Sequence, residues 1–317
     1  MSVRIRLFAA FGALGAGAAA VVVVGGMLSG ALTTPGASPA SPSASTAPPP
    51  TSTPPAVHVP PGFPAPPANA VVLAREAGPN VLAVAVAPGA VQVSILGQNG
   101  VGVSGAEVRV DAARAIPCGR GCYRAHPRPG ALDVVVRTGG QTTTWRPSLP
   151  RDAPAAAQLV ARATAAYKAL KSLAWHDVLG SNAHLKVATE WQATAPDRLA
   201  YQVRKGPKAV VIGDTRWDKF APNAPWQKTQ AAEPIAQPQP FWASAVDAHV
   251  IGSTTFAGRR VTEVSFFDPR TPGWYRILVE PRTLRTVHMD MYATAHFMHD
   301  TYFGFDTTPV VMPPNAG

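Results

Sequence analysis

Between Arg6 and Arg75 this 317-residue chain carries no Asp, Glu, Lys or Arg. That gap decides what its first quarter can be. It opens with an apolar run from Leu7 to about Leu32, including Val21 to Val24, preceded by Arg4 and Arg6. The run is longer than the ~20 residues a bilayer core requires. A basic start before an apolar stretch fits an uncleaved anchor with its N-terminus in the cytoplasm, and it also fits a signal peptide. Length favours the anchor, and small residues such as Ala37 and Ala40 leave cleavage open. No Cys lies at the end of the run, so a lipid-attachment site is absent from it. Residues 1–32 are therefore expected to be a transmembrane anchor or signal segment. The protein is expected at the cell membrane, single-pass with extracytoplasmic C-terminal domains, or secreted if the segment is cleaved.

Residues 33–69 are almost entirely Pro, Ser, Thr, Ala and Gly. Such a segment buries too little apolar surface to offset its ordering entropy, so a disordered or partly polyproline-II stalk is expected. The net charge of +10 and pI near 10.1 raise the question of nucleic acid. The basic residues are scattered, however, with no run longer than a pair such as Arg259-Arg260 and no aromatic-interleaved patch, which excludes that partner. Mild basicity suits anionic lipid headgroups or an acidic envelope better.

From 70 to 150 the pattern is all-β. Val81 to Val86, Ala90 to Leu96, Ala106 to Val110 and Leu132 to Arg137 are short β-branched runs, punctuated by Pro88-Gly89, Asn99-Gly100 and Gly139-Gly140. About five to seven strands in this length predict a small immunoglobulin-like sandwich. Its two cysteines, Cys118 and Cys122, read first as a structural disulfide in an exported chain, with a metal or redox pair as the lesser reading.

From 151 to 317 one helix is expected, capped by Asp152 with Pro154 in its first turn. Leu159, Ala163, Tyr167, Leu170 and Leu173 repeat at helical spacing, to an end near Trp175. Period-two runs follow at Ala188–Gln192, Leu199–Arg204, Ala209–Ile212, Val261–Phe267, Trp274–Val279 and Leu284–Tyr292. The expectation is one helix packed on a curved antiparallel sheet. Six of the seven tryptophans lie in this part, so Trp191, Trp217, Trp242 and Trp274 are candidates to line an apolar ligand cavity. The alternative is that they fill the space between helix and sheet.

Two stretches, His288-Met289-Asp290-Met291 and His296-Phe297-Met298-His299-Asp300, combine thioethers with imidazoles, a donor set that suits Cu(I). Met289, Met291, His296, Met298 and His299 are the candidate ligands. On a strand Met289 and Met291 share one face while His288 and Asp290 take the other. The alternative is a methionine core with surface or hydrogen-bonded histidines. There is no Gly-x-Ser-x-Gly elbow, phosphate-binding glycine loop or His-Glu-x-x-His helix. Trp175-His176-Asp177 is no triad, because neighbours on an extended chain point apart. The acids are dispersed and no pair declares itself as acid and base. No enzyme is expected.

The stretch from Arg75 through Pro88-Gly89, Pro117-Cys118-Gly119-Arg120-Gly121-Cys122-Tyr123 and Gly139-Gly140 resembles the FixH/YtkA-like β-sandwich in extracytoplasmic tails of CopD/YcnJ-type copper-resistance proteins. The next region is similar to the one C-terminal to that sandwich in those tails, at Ala195-Pro196-Asp197-Arg198, Val211 to Asp214 with Trp217, Phe266 to Pro272, and Ala295 to His299 with Tyr302. Its helix-and-sheet pattern also resembles the LolA/LppX/LprG lipoprotein carriers, which hold acyl chains in an apolar cavity. Those copper-resistance proteins carry a multi-helix membrane domain, and the LppX/LprG carriers begin with a lipidated Cys; this sequence shows one apolar segment and no such Cys. The resemblance implies a mainly β (α+β) protein: an immunoglobulin-like sandwich followed by a LolA-like curved antiparallel sheet with one packed helix. It further implies a membrane-tethered, extracytoplasmic, non-catalytic binding protein holding a lipid or other apolar ligand. A copper-handling protein using Cu(I) through the Met/His cluster is the second reading, and a module docking an envelope protein partner the third. No other cofactor is expected.

Overall fold

The computed structural model describes residues 59–126, 132–150, 152–182, 185–232, 235–294 and 296–315. The anchor or signal segment of residues 1–32, and the stalk as far as residue 58, lie outside them. Among the described residues no helix is long and apolar enough to cross a membrane.

The first half contains β1 (Val71–Ala77), β2 (Asn80–Ala87), β3 (Ala90–Leu96), β4 (Glu107–Val110), β5 (Ala113–Arg114), β6 (Ile116–Gly119), β7 (Cys122–Ala125), β8 (Val134–Thr138) and β9 (Gln141–Trp145). They form two sheets, one ordered β1-β2-β3-β7-β6 and the other β5-β4-β8-β9. Strand β2 explains the arrangement. Its Leu82, Val84 and Val86 point inward to Val108, Val110, Val134 and Val136 of the facing sheet. Its Val81, Ala83 and Ala85 point the other way and are also buried. A strand covered on both faces reads as a continuous apolar run, as this one does. Cys118 and Cys122 form a disulfide across the β6–β7 hairpin. The hairpin is seated by close backbone approach: a Cβ on Gly102 would overlap the Arg120 carbonyl, and one on Gly121 would overlap Gly102.

The second half opens with α1 (Ala157–Lys168), followed by β10 (Ser172–Asn182), β11 (Leu185–Thr194), β12 (Arg198–Val203), β13 (Lys208–Ile212), β14 (Thr215–Lys219) and β15 (Gln227–Gln230). Next come β16 (Val246–Phe256), β17 (Arg259–Asp268), β18 (Gly273–Val279), β19 (Thr286–Ala293) and β20 (His296–Phe303). All eleven strands join one antiparallel sheet, ordered β15-β14-β13-β12-β11-β10-β20-β19-β18-β17-β16. The first and last strands of the second half, β10 and β20, therefore pair in the middle.

The helix is shorter than its periodicity predicts. The chain before it pairs with β16 instead, with Ala155 bridging His249, Val250 N–H donating to Pro154 O at 2.9 Å and Ala156 N–H to Ala248 O at 2.7 Å. Asp152 is not the cap; Ala156 holds that place without a side-chain hydrogen bond. At the other end Leu173 and Trp175 belong to β10, because sheet pairing with β11 and β20 takes the chain from Ser172 onward. Their spacing from Tyr167 fits a helix, but it also fits a strand, and tertiary pairing decided.

Strands β17 to β20 are buried on both faces. One face lies under α1 and the segment carrying Trp242. The other lies against β1, and there Phe267, Trp274, Tyr292 and Phe297 join Val72, Ala74, Ala83 and Leu96 in one cluster. The stretch 59–69, which composition assigns to the stalk, is docked at this junction. Its one aromatic, Phe63, sits 4.9 Å from the Trp274 ring and 5.9 Å from Phe267. Gln92 Nε2 donates to Ala65 O at 2.7 Å, and Gly102 N–H to Gly62 O at 2.8 Å.

Charge closes the edge of the same junction. His299 Nδ1 lies 2.6 Å from Asp290 Oδ1, and Nε2 lies 3.0 Å from Glu76 Oε1 on β1. Carboxylates only accept, so two such contacts require an imidazolium. Replacing Trp274 by Ala should cost about 3–5 kcal/mol in urea unfolding, through lost apolar contact and the cavity left at the junction. Replacing exposed Met312 by Ala should stay within about 0.5 kcal/mol of the parent.

Candidate functional site

The helix-facing side of the large sheet carries a continuous belt of aromatic rings. Tyr201, Trp191 and Trp175 lie on neighbouring strands, the two tryptophans stacked at 5.4 Å and Tyr201 at 4.7 Å from Trp191. Trp175 meets Tyr302 at 6.1 Å, and Tyr302 meets Tyr167 of α1 edge-on at 5.6 Å. Tyr167 continues to Trp242, Trp242 to Phe266, and Phe266 stacks on Tyr275 at 5.2 Å. The belt thus spans the sheet from β12 to β17. Register explains it: Trp175, Trp191 and Tyr201 are successive cross-strand partners, as are Trp175 and Tyr302.

Trp242 lies outside any strand and is positioned from two sides. Its Nε1 donates to Thr164 Oγ1 of the helix at 2.8 Å. The segment after it is pinned by the buried Asp268 carboxylate, which accepts from Ala243 N–H and Ser244 N–H at 2.6 and 2.9 Å. At the far end of the face Arg216 donates to Asp218 at 2.7 Å and to Tyr201 Oη at 3.1 Å.

Of the four tryptophans proposed for the ligand cavity, Trp191 and Trp242 lie in this belt. Trp274 does not, because its partners Phe267 and Tyr292 place it on the opposite face, against Phe63. Trp217 aligns through Val210, Ala200 and Gln192 with Ala174, again the opposite face, beside Lys228. Trp175 and Tyr302 take their places. Within the belt the rings touch one another, so the tryptophans fill the space between helix and sheet in this conformation.

The Met/His set divides the same way. Met291 and Met298 are direct cross-strand partners, and by alternation Met289 and His296 share their face. Met289 and Met291 are fully buried. His296 is buried too; burial lowers its pKa, against a hydrogen bond with Thr294 O that raises it. His299 is on the other face, engaged with Asp290 and Glu76, so the five do not converge. Its hydrogen bond to Asp290 raises its pKa against the opposing effect of burial. Burial pushes Asp290 up, but hydrogen bonds with His288 and His299 and the Arg276 charge outweigh it and hold the carboxylate well below its usual range. Among the described residues no three His, Cys, Asp or Glu side chains are placed to hold a metal ion.

The belt also holds a feature hidden from sequence reading. Asp177 and Asp300 are cross-strand partners on β10 and β20, both buried under the aromatic rings. Trp191 Nε1 donates to Asp177 Oδ2 at 3.4 Å, and Tyr302 Oη donates to Asp300 Oδ2 at 2.7 Å. The other oxygen of each carboxyl has no partner outside the pair. Two adjacent carboxylates in apolar surroundings cannot both ionise cheaply, so a proton between them satisfies both orphan oxygens. Burial pushes Asp177 up to about 7, and burial with the neighbouring Asp177 charge pushes Asp300 well above the ordinary range. His176, between Trp175 and Asp177 in sequence, points to the opposite face and meets Glu190. The triplet is thus split as alternation requires.

No family model matches the chain, and no curated protein matches it. Among solved structures it is similar to LprF from Mycobacterium bovis, at 15% identity and a TM-score of 0.37, over 50% of this chain and 96% of that one. It is similar to the lipoprotein LppX of Mycobacterium tuberculosis at 12% identity and a TM-score of 0.39, over 49% and 98%. A LolA superfamily protein from Nitrosomonas europaea aligns at 7% identity and a TM-score of 0.22, over 50% and 96%.

The acid pair gives a pH prediction. Unfolded carboxyls release their protons near pH 4 and the folded pair holds on beyond that, so folding takes up a proton. The Asp177 proton's stabilising effect is complete below about pH 4 and is lost as pH rises through about 7, while the proton on Asp300 is held beyond that. One such proton corresponds to about 1.4 kcal/mol per pH unit. Asp300→Asn should flatten this fall, its amide donating to Asp177, while His299 titrates alike in both proteins. Urea unfolding at pH 5 and pH 7 checks it; equal slopes in parent and variant would contradict the shared proton.

Proposed function

We propose that the chain is a non-catalytic binding protein of the cell envelope, tethered by its N-terminal segment, whose helix-covered sheet face takes up a lipid or other apolar molecule. The aromatic belt carries this reading. It crosses seven strands, about 29 Å at ~4.8 Å per strand. The twelve-residue helix above it is about 18 Å long and about 10 Å wide. The helix cannot cover the belt alone. The remaining cover includes irregular chain, the segment carrying Trp242, which reaches the helix through Thr164. Irregular cover opens at lower free energy than paired strands do. Displacing it would expose a wide apolar face of the kind that acyl chains occupy.

The acid pair does not change the class of this reading. Asp300 is wholly enclosed, with Tyr302 and Asp177 on it, and a general acid must reach the proton acceptor of its substrate. The test is native mass spectrometry of the full chain released from detergent micelles. A co-purifying mass that fragments as a lipid is expected; a bare protein under conditions that preserve other lipid complexes would contradict the reading.

One observation favours a second reading, in which the protein handles Cu(I). Met291 faces Met298 directly, with His296 on the same side, so soft donors meet on one face. Cu(I) competition against a chromophoric chelator should then show one site, lost in Met291→Leu/Met298→Leu and kept in His299→Gln. Unchanged uptake in the double variant would end this reading.

A further inference from the structure

We propose that the disulfide-tied β6–β7 hairpin is a docking surface for anionic phospholipid headgroups, set where the tether enters the fold. Ile116 is 70% exposed, the most exposed of the large apolar side chains among the described residues. Its cross-strand partner is Arg124, and Arg120 stands at the hairpin turn; both arginines are exposed. Among the described residues neither forms an ion pair. An apolar side chain with one free guanidinium across the strand pair and another at the hairpin turn matches the boundary between acyl chains and acidic headgroups.

The hairpin is unsuited to the other common partner of an exposed edge. β6 is the last strand of its sheet, but Pro117 removes a donor from a four-residue strand, which blunts pairing with another chain. The Cys118–Cys122 bond holds the turn, so little order has to be gained on docking.

Position supplies the second argument. The described chain begins at residue 59, and a methyl group placed on Gly62 would lie 3.8 Å from Arg120 Cδ. The stalk therefore joins the folded part beside this hairpin. If residues 1–32 are held in a bilayer, the connecting stalk keeps the hairpin at high effective concentration over it. This inference rests in part on that tethered reading.

Two arginines favour an anionic surface over a neutral one by about thirtyfold, at roughly a factor of five each. The experiment is hydrogen–deuterium exchange of the full chain in nanodiscs of phosphatidylcholine, with and without phosphatidylglycerol. Amides of residues 116–124 should exchange more slowly only with the anionic lipid, and the protection should fall at 1 M salt. The exposed edge strand β15 should be indifferent. Ile116→Asp and Arg120→Glu/Arg124→Glu should abolish the protection, as surface changes that leave the core intact. Equal exchange in both lipids, or protection that survives the substitutions, overturns the proposal. A chain that stays outside the nanodiscs contradicts the tether alone, and docking is then read from the same exchange with the chain mixed with vesicles of the two compositions.

Discussion

The structure depends on the two-sided burial of strands β17 to β20. Trp274, Phe267, Tyr292 and Phe297 face β1 and Phe63, while Phe266, Tyr275, Met289 and Met291 face the helix side. A sheet eleven strands wide would be unprotected over much of its area if only one helix covered it. The sandwich supplies the missing cover through the outer face of β1 and β2, which is why β2 is apolar on both sides. The large sheet and the sandwich are accordingly grouped within one compact unit, His58–Gly317.

The same strands separate two kinds of electrostatics. On the sandwich side Asp290 is ionised among Arg276, His288 and His299, and Glu76 extends the network to β1. These groups reach the junction's edge, where partial exposure lowers the penalty for charge. One residue further along β20, Asp300 faces the aromatic belt with no cation beside it, and its partner is another acid. Neighbouring carboxyls on adjacent strands are thus driven to opposite protonation states by the face each occupies. The helix side of the sheet thus presents apolar rings and one acid pair, with Arg216 committed to Asp218 at the far end.

Much of this was legible in the sequence, for identifiable reasons. Strands such as β2, β3, β12, β13, β17 and β18 declare themselves because their β-branched runs alternate or are wholly apolar. β10 was not legible, because Leu170 and Leu173 continue the helical spacing of Tyr167 and only pairing with β11 and β20 reveals a strand. β16 and β20 were missed because Gly, Ser, Thr and His dilute their pattern. Tryptophan count pointed to an aromatic layer but could not assign faces, which register alone decides; Trp217 and Trp274 therefore fell on the wrong side. The Asp177–Asp300 pair had no sequence signal at all, since its members come from the first and last strands of the second half. The reading of the cysteines needed only their spacing and the expectation of export.

The central claim, that the helix-side aromatic belt is where an apolar ligand goes, is tested most directly by photo-crosslinking. A fatty-acyl probe carrying a diazirine on its chain would be photolysed with the full-length protein and the adducts located by peptide mass spectrometry. The account predicts adducts on the inner surface of α1, the Trp242 segment and the belt positions of β10 and β11, with none on Trp274 or Phe63. Adducts confined to the outer surface, or concentrated at the sandwich junction, would contradict it.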